Sequence, residues 1–202
     1  MSMKGFTLLE TLVAVAILTL AVSGPLYVAN RALVAAQNSQ SQLTASYLAQ
    51  EGIEYVRTMR DHQYLYAQKA GGSDVSDDAW RAFVFNIGGS SQGRFGQCLD
   101  LTKKCALDPW LTMGVGSANA LFLCTESTCP EQLYLVDFAD GKHYRRSGAA
   151  DEKTIFSRTV RGELVSDESS ASENLKITST VTWAFHGRTY TVTATGNLTP
   201  WQ

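Results

Sequence analysis

The stretch KGFTLLETLVAVAILTLAVSGPLYVAN, residues 4–30, decides how this chain is organised. From Phe6 to Ala29 it is apolar, with Glu10 as its only charged residue. A helix rises about 1.5 Å per residue, so this segment matches the roughly 30 Å hydrocarbon core of a bilayer. Lys4 lies just before it and favours a cytoplasmic amino end. The segment therefore predicts a single membrane helix followed by an exported domain.

Two other interpretations of the apolar segment fit the residues less well. A core helix of a soluble protein would keep its apolar residues in one stripe, whereas here they run all round the helix. A secretory signal peptide could be cut at Ala21-Val22-Ser23. However, the apolar run continues to Val28, and Glu10 would put an unfavourable charge inside the signal. The sequence favours a helix that stays in the membrane.

Within this segment, KGFTLLETLVAVAIL resembles the leader and the start of type IV prepilins and of type II secretion pseudopilins. The shared features are a short leader ending in Gly5, then Phe6, and Glu10 at the fifth place counted from Phe6. An unbroken apolar run follows, as it does in those proteins. The resemblance covers only the amino end of the chain, but its spacing is specific.

The resemblance implies a role for each of these residues. Residues 1–5 would be a leader peptide, a prepilin peptidase would cut the Gly5–Phe6 bond, and the new amino group of Phe6 would be methylated. Glu10 would act in assembly by meeting the Phe6 nitrogen of a neighbouring subunit. A lone charge in lipid is unfavourable by about 3 kcal/mol or more, so its pairing would set the register between subunits.

A helical pattern continues beyond the membrane segment, over residues 30–61, as an amphipathic extension. The Gly24-Pro25 pair predicts a kink or a loosened turn, because proline cannot donate to the carbonyl one turn back. Gly52 predicts either a break or a close approach to the head. The charged residues from Glu51 to Asp61 are expected to form a solvated face. Apolar contacts are expected from Leu43, Tyr47, Ile53 and Val56.

Residues 62–202 predict a globular head in two parts. The first part, 62–119, is irregular and contains two of the cysteines, with one short helix at SDDAWRAFVF capped by Ser76 or Asp77. The second part, 120–202, is rich in apolar and β-branched residues, which predict strands. The first strand candidates are ALFLC, QLYLVDF and TIFSRTVRGELV.

Two hairpins are predicted in the second part of the head. Asp140-Gly141 is a turn signal directly after the QLYLVDF run. Farther on, apolar residues and threonines alternate on both sides of His186-Gly187, which is the period of half-buried strands. One helix followed by an antiparallel sheet that it covers is an α+β fold. This layout is also the pilin-like fold, and FSRTVRG and TVTWAFHGRTYTVTATGNLTPWQ resemble carboxy-terminal strands of minor pilins and I-type pseudopilins.

The head contains four cysteines, and an even count in an exported domain favours disulfides. Four cysteines allow three connectivities, and the sequence alone does not choose among them. The local pairs, Cys98 with Cys105 and Cys124 with Cys129, are favoured because each closes a small loop whose turn residues can bring its ends together. Their spacing does not match the CxxC-like knuckles of a zinc site, so no metal is predicted.

Neither composition nor motifs indicate an enzyme, a cofactor or a nucleic-acid site. The net charge is −2, from 17 basic and 19 acidic residues, and no basic stripe suggests nucleic-acid binding. The three histidines are far apart in sequence, and no GxSxG elbow is present. The acidic clusters lack the regular alternation of an EF-hand calcium loop.

These features predict a non-enzymatic structural subunit of a type IV pilus-like filament, with a minor pilin favoured by size, irregular loops and cysteine pairs. The resemblance implies four kinds of partner: other pilin subunits, a prepilin peptidase, an inner-membrane assembly platform and membrane lipid. The chain would be a single-pass inner-membrane protein with an extracytoplasmic head before it joins a surface or periplasmic filament. The alternatives are a pseudopilin of type II secretion or DNA uptake, a pilus-tip adhesin, and a membrane-anchored enzyme.

Overall fold

The apolar segment and its extension form one helix, α1 (Leu8–Ala70), of 63 residues in the computed structural model. The chain divides into two compact units, Met1–Leu43 and Thr44–Gln202, and each is described by itself. The structure describes residues 7–71, 73–86, 88, 94–99, 103–111, 120–125, 129, 131–139, 141–146, 152–166 and 173–200.

α1 ends later than predicted. It ends at Ala70 rather than at residue 61, because side chains as far along as Gln63 and Ala67 are buried and hold the last turns in place. It also runs through Pro25 without interruption. Proline removes only one backbone hydrogen bond, so the neighbouring turns keep the helix continuous.

α2 (Val75–Phe85) is the short helix predicted from SDDAWRAFVF, but its cap is a different residue. A carboxylate oxygen of Asp74 accepts a hydrogen bond from the backbone amide of Asp77 at 3.1 Å. The predicted caps, Ser76 and Asp77, instead lie inside the first turn, where an acidic side chain also favours the helix dipole. The helix ends at Asn86, whose φ of 57° gives the left-handed conformation of a C-terminal cap.

In the described part of the chain, seven strands form one antiparallel sheet. The strand candidates named from the sequence are confirmed. β1 lies in the region predicted to be irregular, since its three residues are too few to show a strand period. The strands are β1 (Cys105–Leu107), β2 (Leu121–Leu123), β3 (Gln132–Phe138), β4 (Gly141–Arg145), β5 (Glu152–Ser166), β6 (Glu173–Phe185) and β7 (Arg188–Leu198).

β5 is the centre of the sheet. One of its edges pairs with β6, which pairs in turn with β7. Its other edge pairs with β1 and β3, which add β2 and β4 respectively. The structure is therefore α+β, with a long amino-terminal helix and an antiparallel sheet, as predicted.

Both predicted hairpins are present. β3 and β4 pair as far as Phe138 and Gly141, while Asp140 lies outside the described residues. β6 and β7 are joined by His186 and Gly187, whose φ values of 48° and 75° are those of a two-residue type I′ turn. The alternation on β6 and β7 points its apolar residues inward, and Trp183 pairs with Tyr190.

One face of α1 packs on the sheet and forms much of the core. Gly52 lies on this face, and a Cβ added there would overlap the Ser179 hydroxyl and touch Val160. Of the two outcomes predicted for Gly52, close packing is therefore the one observed. The buried residues of α1 are Ala45, Leu48, Ala49, Gly52, Ile53, Val56, Met59, Gln63 and Ala67.

Two of the four apolar contacts predicted for α1 are observed. Ile53 and Val56 are buried, but Leu43 and Tyr47 are 56% and 66% exposed. Two residues along a helix turn the side chain by about 200°, so positions two before Ala45 and Ala49 point away from the face on which those alanines lie. Ala45, Leu48 and Ala49 therefore mark the buried face in these turns.

α1 runs along the sheet in the direction opposite to β6. Ala45 and Leu48 belong to the same core cluster as Val181 and Trp183, near the end of β6. Gly52 lies against Ser179, and the next turns of α1 pack in a second cluster with residues nearer the start of β6. That second cluster also contains Trp80, Phe83 and Val84 of α2, so α2 covers part of the same core.

Candidate assembly site and its support in the head

Glu10 is the only one of the predicted processing and assembly residues that the structure describes, because Gly5 and Phe6 lie outside the described residues. It lies in the first turn of α1 and is exposed. Among the described residues, its carboxylate makes no hydrogen bond or ion pair. The Glu10 carboxylate can therefore accept a hydrogen bond or form an ion pair with a partner.

Thr7 caps the start of α1 beside Glu10. The Thr7 hydroxyl accepts a hydrogen bond from the Glu10 backbone amide at 3.3 Å. The order Thr7-x-x-Glu10 is the signature of a capping box, a signal that the sequence analysis did not use. An acidic side chain in the first helical turn also interacts favourably with the helix dipole, by about 0.3–1 kcal/mol at an exposed site. Glu10 therefore has a local stabilising role besides any role in assembly.

The helix that carries Glu10 is long and apolar enough to cross a membrane, and among the described residues it is the one helix that meets that test. Every residue from Thr7 to Gln37 is exposed in the isolated chain. Leu8 and Leu20, for example, are 82% and 74% exposed. Apolar surface on this scale is unusual for a soluble monomer and indicates burial in lipid or against a partner. The segment therefore supports membrane anchoring.

In the head, a buried arginine fixes the position of α1 on the sheet. Arg158 of β5 is 1% exposed, although an isolated buried charge is strongly unfavourable. Its Nη1 donates to Glu51 Oε2 at 2.5 Å and to the carbonyl of Leu48 at 3.2 Å. Its Nη2 donates to the carbonyl of Leu107 at 3.4 Å. One guanidinium thus joins α1, β1 and β5.

This contact corrects the prediction of a fully solvated charged face on α1. Glu51 faces inward to Arg158, whereas Glu54 pairs with Arg57 at 2.7 Å on the exposed side, as expected. The sequence carries no signal for the buried pair, since its members are 107 residues apart.

Other charged groups complete a cluster around this pair. Asp108 is fully buried, and one of its oxygens lies 3.7 Å from Arg145 Nε of β4. Tyr55 is half-buried nearby, and burial is the main cause that raises the pKa of its hydroxyl. Glu51 and Asp108 raise this pKa further, while Arg158 opposes them. The cluster is buried in the head and positions structural elements.

The four cysteines lie in the two local pairs favoured from the sequence. The Sγ atoms of Cys98 and Cys105 are 2.05 Å apart, with Cα atoms 5.7 Å apart, and both residues are fully buried. Cys124 and Cys129 are likewise bonded, with Cα atoms 4.3 Å apart, and are half-buried. Among the described residues, no group of histidine, cysteine, aspartate and glutamate side chains could hold a metal ion.

Comparison with known proteins gives a match at the amino end of the chain. Residues 1–24 match a family model described as the prokaryotic N-terminal methylation motif. The chain therefore carries the type IV pilin and pseudopilin signature, and the long apolar helix fits it. The matched motif is a structural one rather than an enzyme family. Neither the search of curated proteins nor that of solved structures found a match.

Proposed function

We propose that this chain is a structural subunit, of the minor-pilin kind, in a type IV pilus-like filament. It is processed at the Gly5–Phe6 bond, methylated at Phe6, and assembled through its apolar helix. The observation that carries the proposal is Glu10, a single charged residue at the start of a long, exposed apolar helix that bears the methylation motif. The local contribution of this acid to the first helical turn, about 0.3–1 kcal/mol, is smaller than the cost of an unpaired charge in lipid, about 3 kcal/mol, so a partner is needed to offset that cost.

The proposed mechanism follows from the environment of that charge. In the membrane the apolar side chains of α1 are solvated by lipid, but the Glu10 carboxylate is not, at a cost of about 3 kcal/mol. The cationic amino group at Phe6 of a neighbouring subunit is a matching partner. Their pairing removes the penalty in one axial register only, because a slip along the helix would leave the carboxylate unpaired again.

The rest of the proposal concerns partners and location. The processing step requires a prepilin peptidase, and insertion into a filament requires other pilin subunits and an inner-membrane assembly platform. Before assembly, the subunit is a single-pass inner-membrane protein with its head outside the cytoplasm. The size of the chain, the two cysteine pairs and the irregular sequence pattern of residues 62–119 favour a minor over a bulk subunit. No catalytic role is assigned to the head.

The test is to replace Glu10 with alanine and, separately, with glutamine in the native host. We expect both variants to be processed and membrane-bound but to enter filaments far less than wild type, because neither side chain can form an ion pair. Incorporation is measured by immunodetection in sheared filaments. The matched control is Glu54→Ala, which removes an exposed acid that pairs only with Arg57 in its own helix.

Mass analysis of the mature amino terminus accompanies this experiment. We expect a chain that begins at a methylated Phe6. Unchanged incorporation of both Glu10 variants would remove the proposed role of the carboxylate. A mature chain that begins at Gly24 would instead identify a cleaved signal peptide and contradict the proposal as a whole.

A further inference from the structure

The free edge of β7 is the longest open strand edge among the described residues. β7 has 11 residues and pairs only with β6 in the described sheet. The strands at the other open edges are much shorter, with three residues in β2 and five in β4. A long edge of this kind presents a row of unpaired backbone donors and acceptors, which is a template for another strand.

The hairpin geometry identifies which residues of β7 present these groups. In a two-residue hairpin the residues flanking the turn, Phe185 and Arg188, form a hydrogen-bonded pair, and bonded pairs then recur at every second position. The intervening residues point their backbone N–H and C=O groups away from β6. No backbone group of the described residues bonds to them. They are Thr189, Thr191, Thr193, Thr195 and Asn197.

Exposure of the side chains agrees with an open edge. The four threonines of β7 and Asn197 are exposed, whereas the three β6 threonines that pair with Thr191, Thr193 and Thr195 are half-buried. Natural edge strands are usually protected by charges, prolines or bulges. β7 has one charge, Arg188 at its first residue, no proline, and an unbroken register with β6. Within the described residues, the edge is therefore unprotected in the part that presents backbone groups.

We propose that this edge pairs with the same edge of a second copy of the chain, antiparallel and about a two-fold axis at Thr193. In this register Thr191 faces Thr195 of the other copy, and Thr189 faces Asn197. All of these positions have outward backbone groups, so five bonded pairs with about ten hydrogen bonds form. The outward donors and acceptors of one edge thus match those of an identical edge, as a contact with two-fold symmetry requires.

The side chains also fit this register. Arg188 lies opposite Leu198, so no like charges face each other across the contact. On the inward face, Tyr190 lies opposite Gly196, where Ile53 of α1 fills the place of the missing side chain. A strand of another protein could also bind these backbone groups. A second copy of β7 already has its outward backbone groups at the matching positions.

The pairing has a consequence for assembly. The two-fold axis is perpendicular to the sheet, and α1 lies along the strands in the head, so α1 points in opposite directions in the two copies. Subunits of one polar filament all point the same way. If the proposed function holds, the contact therefore joins subunits of two filaments rather than neighbours in one. The pairing itself does not depend on the filament assignment.

The test is disulfide trapping with the full-length chain in nonionic detergent. In the proposed register, Thr193→Cys places two cysteines about 5.5 Å apart between Cα atoms, within the range for a disulfide. We expect mild oxidation with copper phenanthroline to give a covalent dimer on a non-reducing gel. Two controls carry one cysteine each: Thr191→Cys, on the same edge but about 14 Å from its copy, and Thr180→Cys, inside the sheet on β6. Both should run as monomers on the same gel, because neither places two cysteines within disulfide distance.

A second variant tests the contact without added cysteine. Thr193→Lys puts two like charges opposite each other at the axis and should weaken dimerisation, measured by sedimentation in the same detergent, by roughly fivefold. A circular dichroism melt shows that each variant is folded. The proposal is overturned if folded Thr193→Cys gives no dimer. It is also overturned if Thr191→Cys is trapped equally well, or if Thr193→Lys associates like wild type, because association through the apolar helix would give either result.

Discussion

Gly52 determines how closely α1 can approach the sheet. Its missing side chain leaves room for Ser179 of β6, whose hydroxyl oxygen is buried and has no hydrogen-bond partner among the described residues. The Ser179 hydroxyl thus lies in the space that a side chain at position 52 would otherwise take. A glycine in a helix interior lowers helix stability by about 1 kcal/mol, so its presence here is explained by packing rather than by helix propensity.

Replacing Gly52 with alanine should therefore destabilise the head by about 1–3 kcal/mol, despite the gain in helix propensity, because the new Cβ overlaps the Ser179 hydroxyl. Urea unfolding followed by circular dichroism measures the change. Adding Ser179→Ala should recover part of the loss by removing the overlapping oxygen. Gly24→Ala is the matched control, since nothing lies within 4 Å of its added Cβ. A neutral Gly52→Ala variant would show that helix and sheet can separate freely.

At the scale of elements, the two disulfides lie around the short strands β1 and β2. Cys98 ends a short 3-10 helix and Cys105 begins β1, so their bond ties that helix to the sheet. Both residues are buried in the main core cluster. Cys124 follows β2 and its bond closes a small loop whose sulfur atoms are partly accessible.

We expect the two bonds to differ in their response to a reductant. No cysteine should label with a maleimide before reduction, and Cys124 and Cys129 should label first as the reductant concentration rises, because their residues are less buried. Peptide mapping identifies the labelled sites. Replacing Cys98 and Cys105 together with serine should lower the free energy of unfolding by about 2–3 kcal/mol. Free labelling of all four residues without reductant would contradict the disulfides.

At the scale of the whole head, two half-buried tyrosines, Tyr55 on α1 and Tyr144 on β4, make the stability depend on pH. The Tyr55 pKa is raised mainly by burial, and that of Tyr144 is raised by burial and by Glu152. A tyrosine whose folded-state pKa exceeds its unfolded value stabilises the fold fully below the unfolded pKa of about 10, and the contribution is lost as the pH rises through the folded pKa. The head should therefore lose stability above roughly pH 10.

The Tyr55→Phe variant isolates one part of this loss. Because phenylalanine cannot ionise, the free energy of unfolding should fall less steeply between about pH 9 and pH 11 than in wild type. Chemical denaturation at a series of pH values measures the slope. Tyr47→Phe serves as the control, since that ring is 66% exposed. Equal slopes for wild type and Tyr55→Phe would show that Tyr55 ionises without opening the fold.

The sequence by itself determined the features that depend on neighbouring residues. A helix long and apolar enough to cross a membrane follows from the length and uniform character of the run from Phe6 to Ala29. The β6–β7 hairpin follows from strict alternation around His186-Gly187, whose turn type has a local signature. In both cases many neighbouring residues follow the same pattern, so the prediction does not depend on any single one. The methylation motif is also local, because it consists of residues at fixed spacing at the amino end of the chain.

The tertiary structure alone decided which of the possible contacts are made. Ala45, Leu48 and Ala49 face the core while Leu43 and Tyr47 do not, because only one side of α1 packs on the sheet. The Glu51–Arg158 pair joins residues far apart in sequence, and its members look like ordinary surface charges until the fold buries one of them. Hydrophobic burial and ion pairing depend on what the whole chain brings together, and local residue patterns do not contain that information.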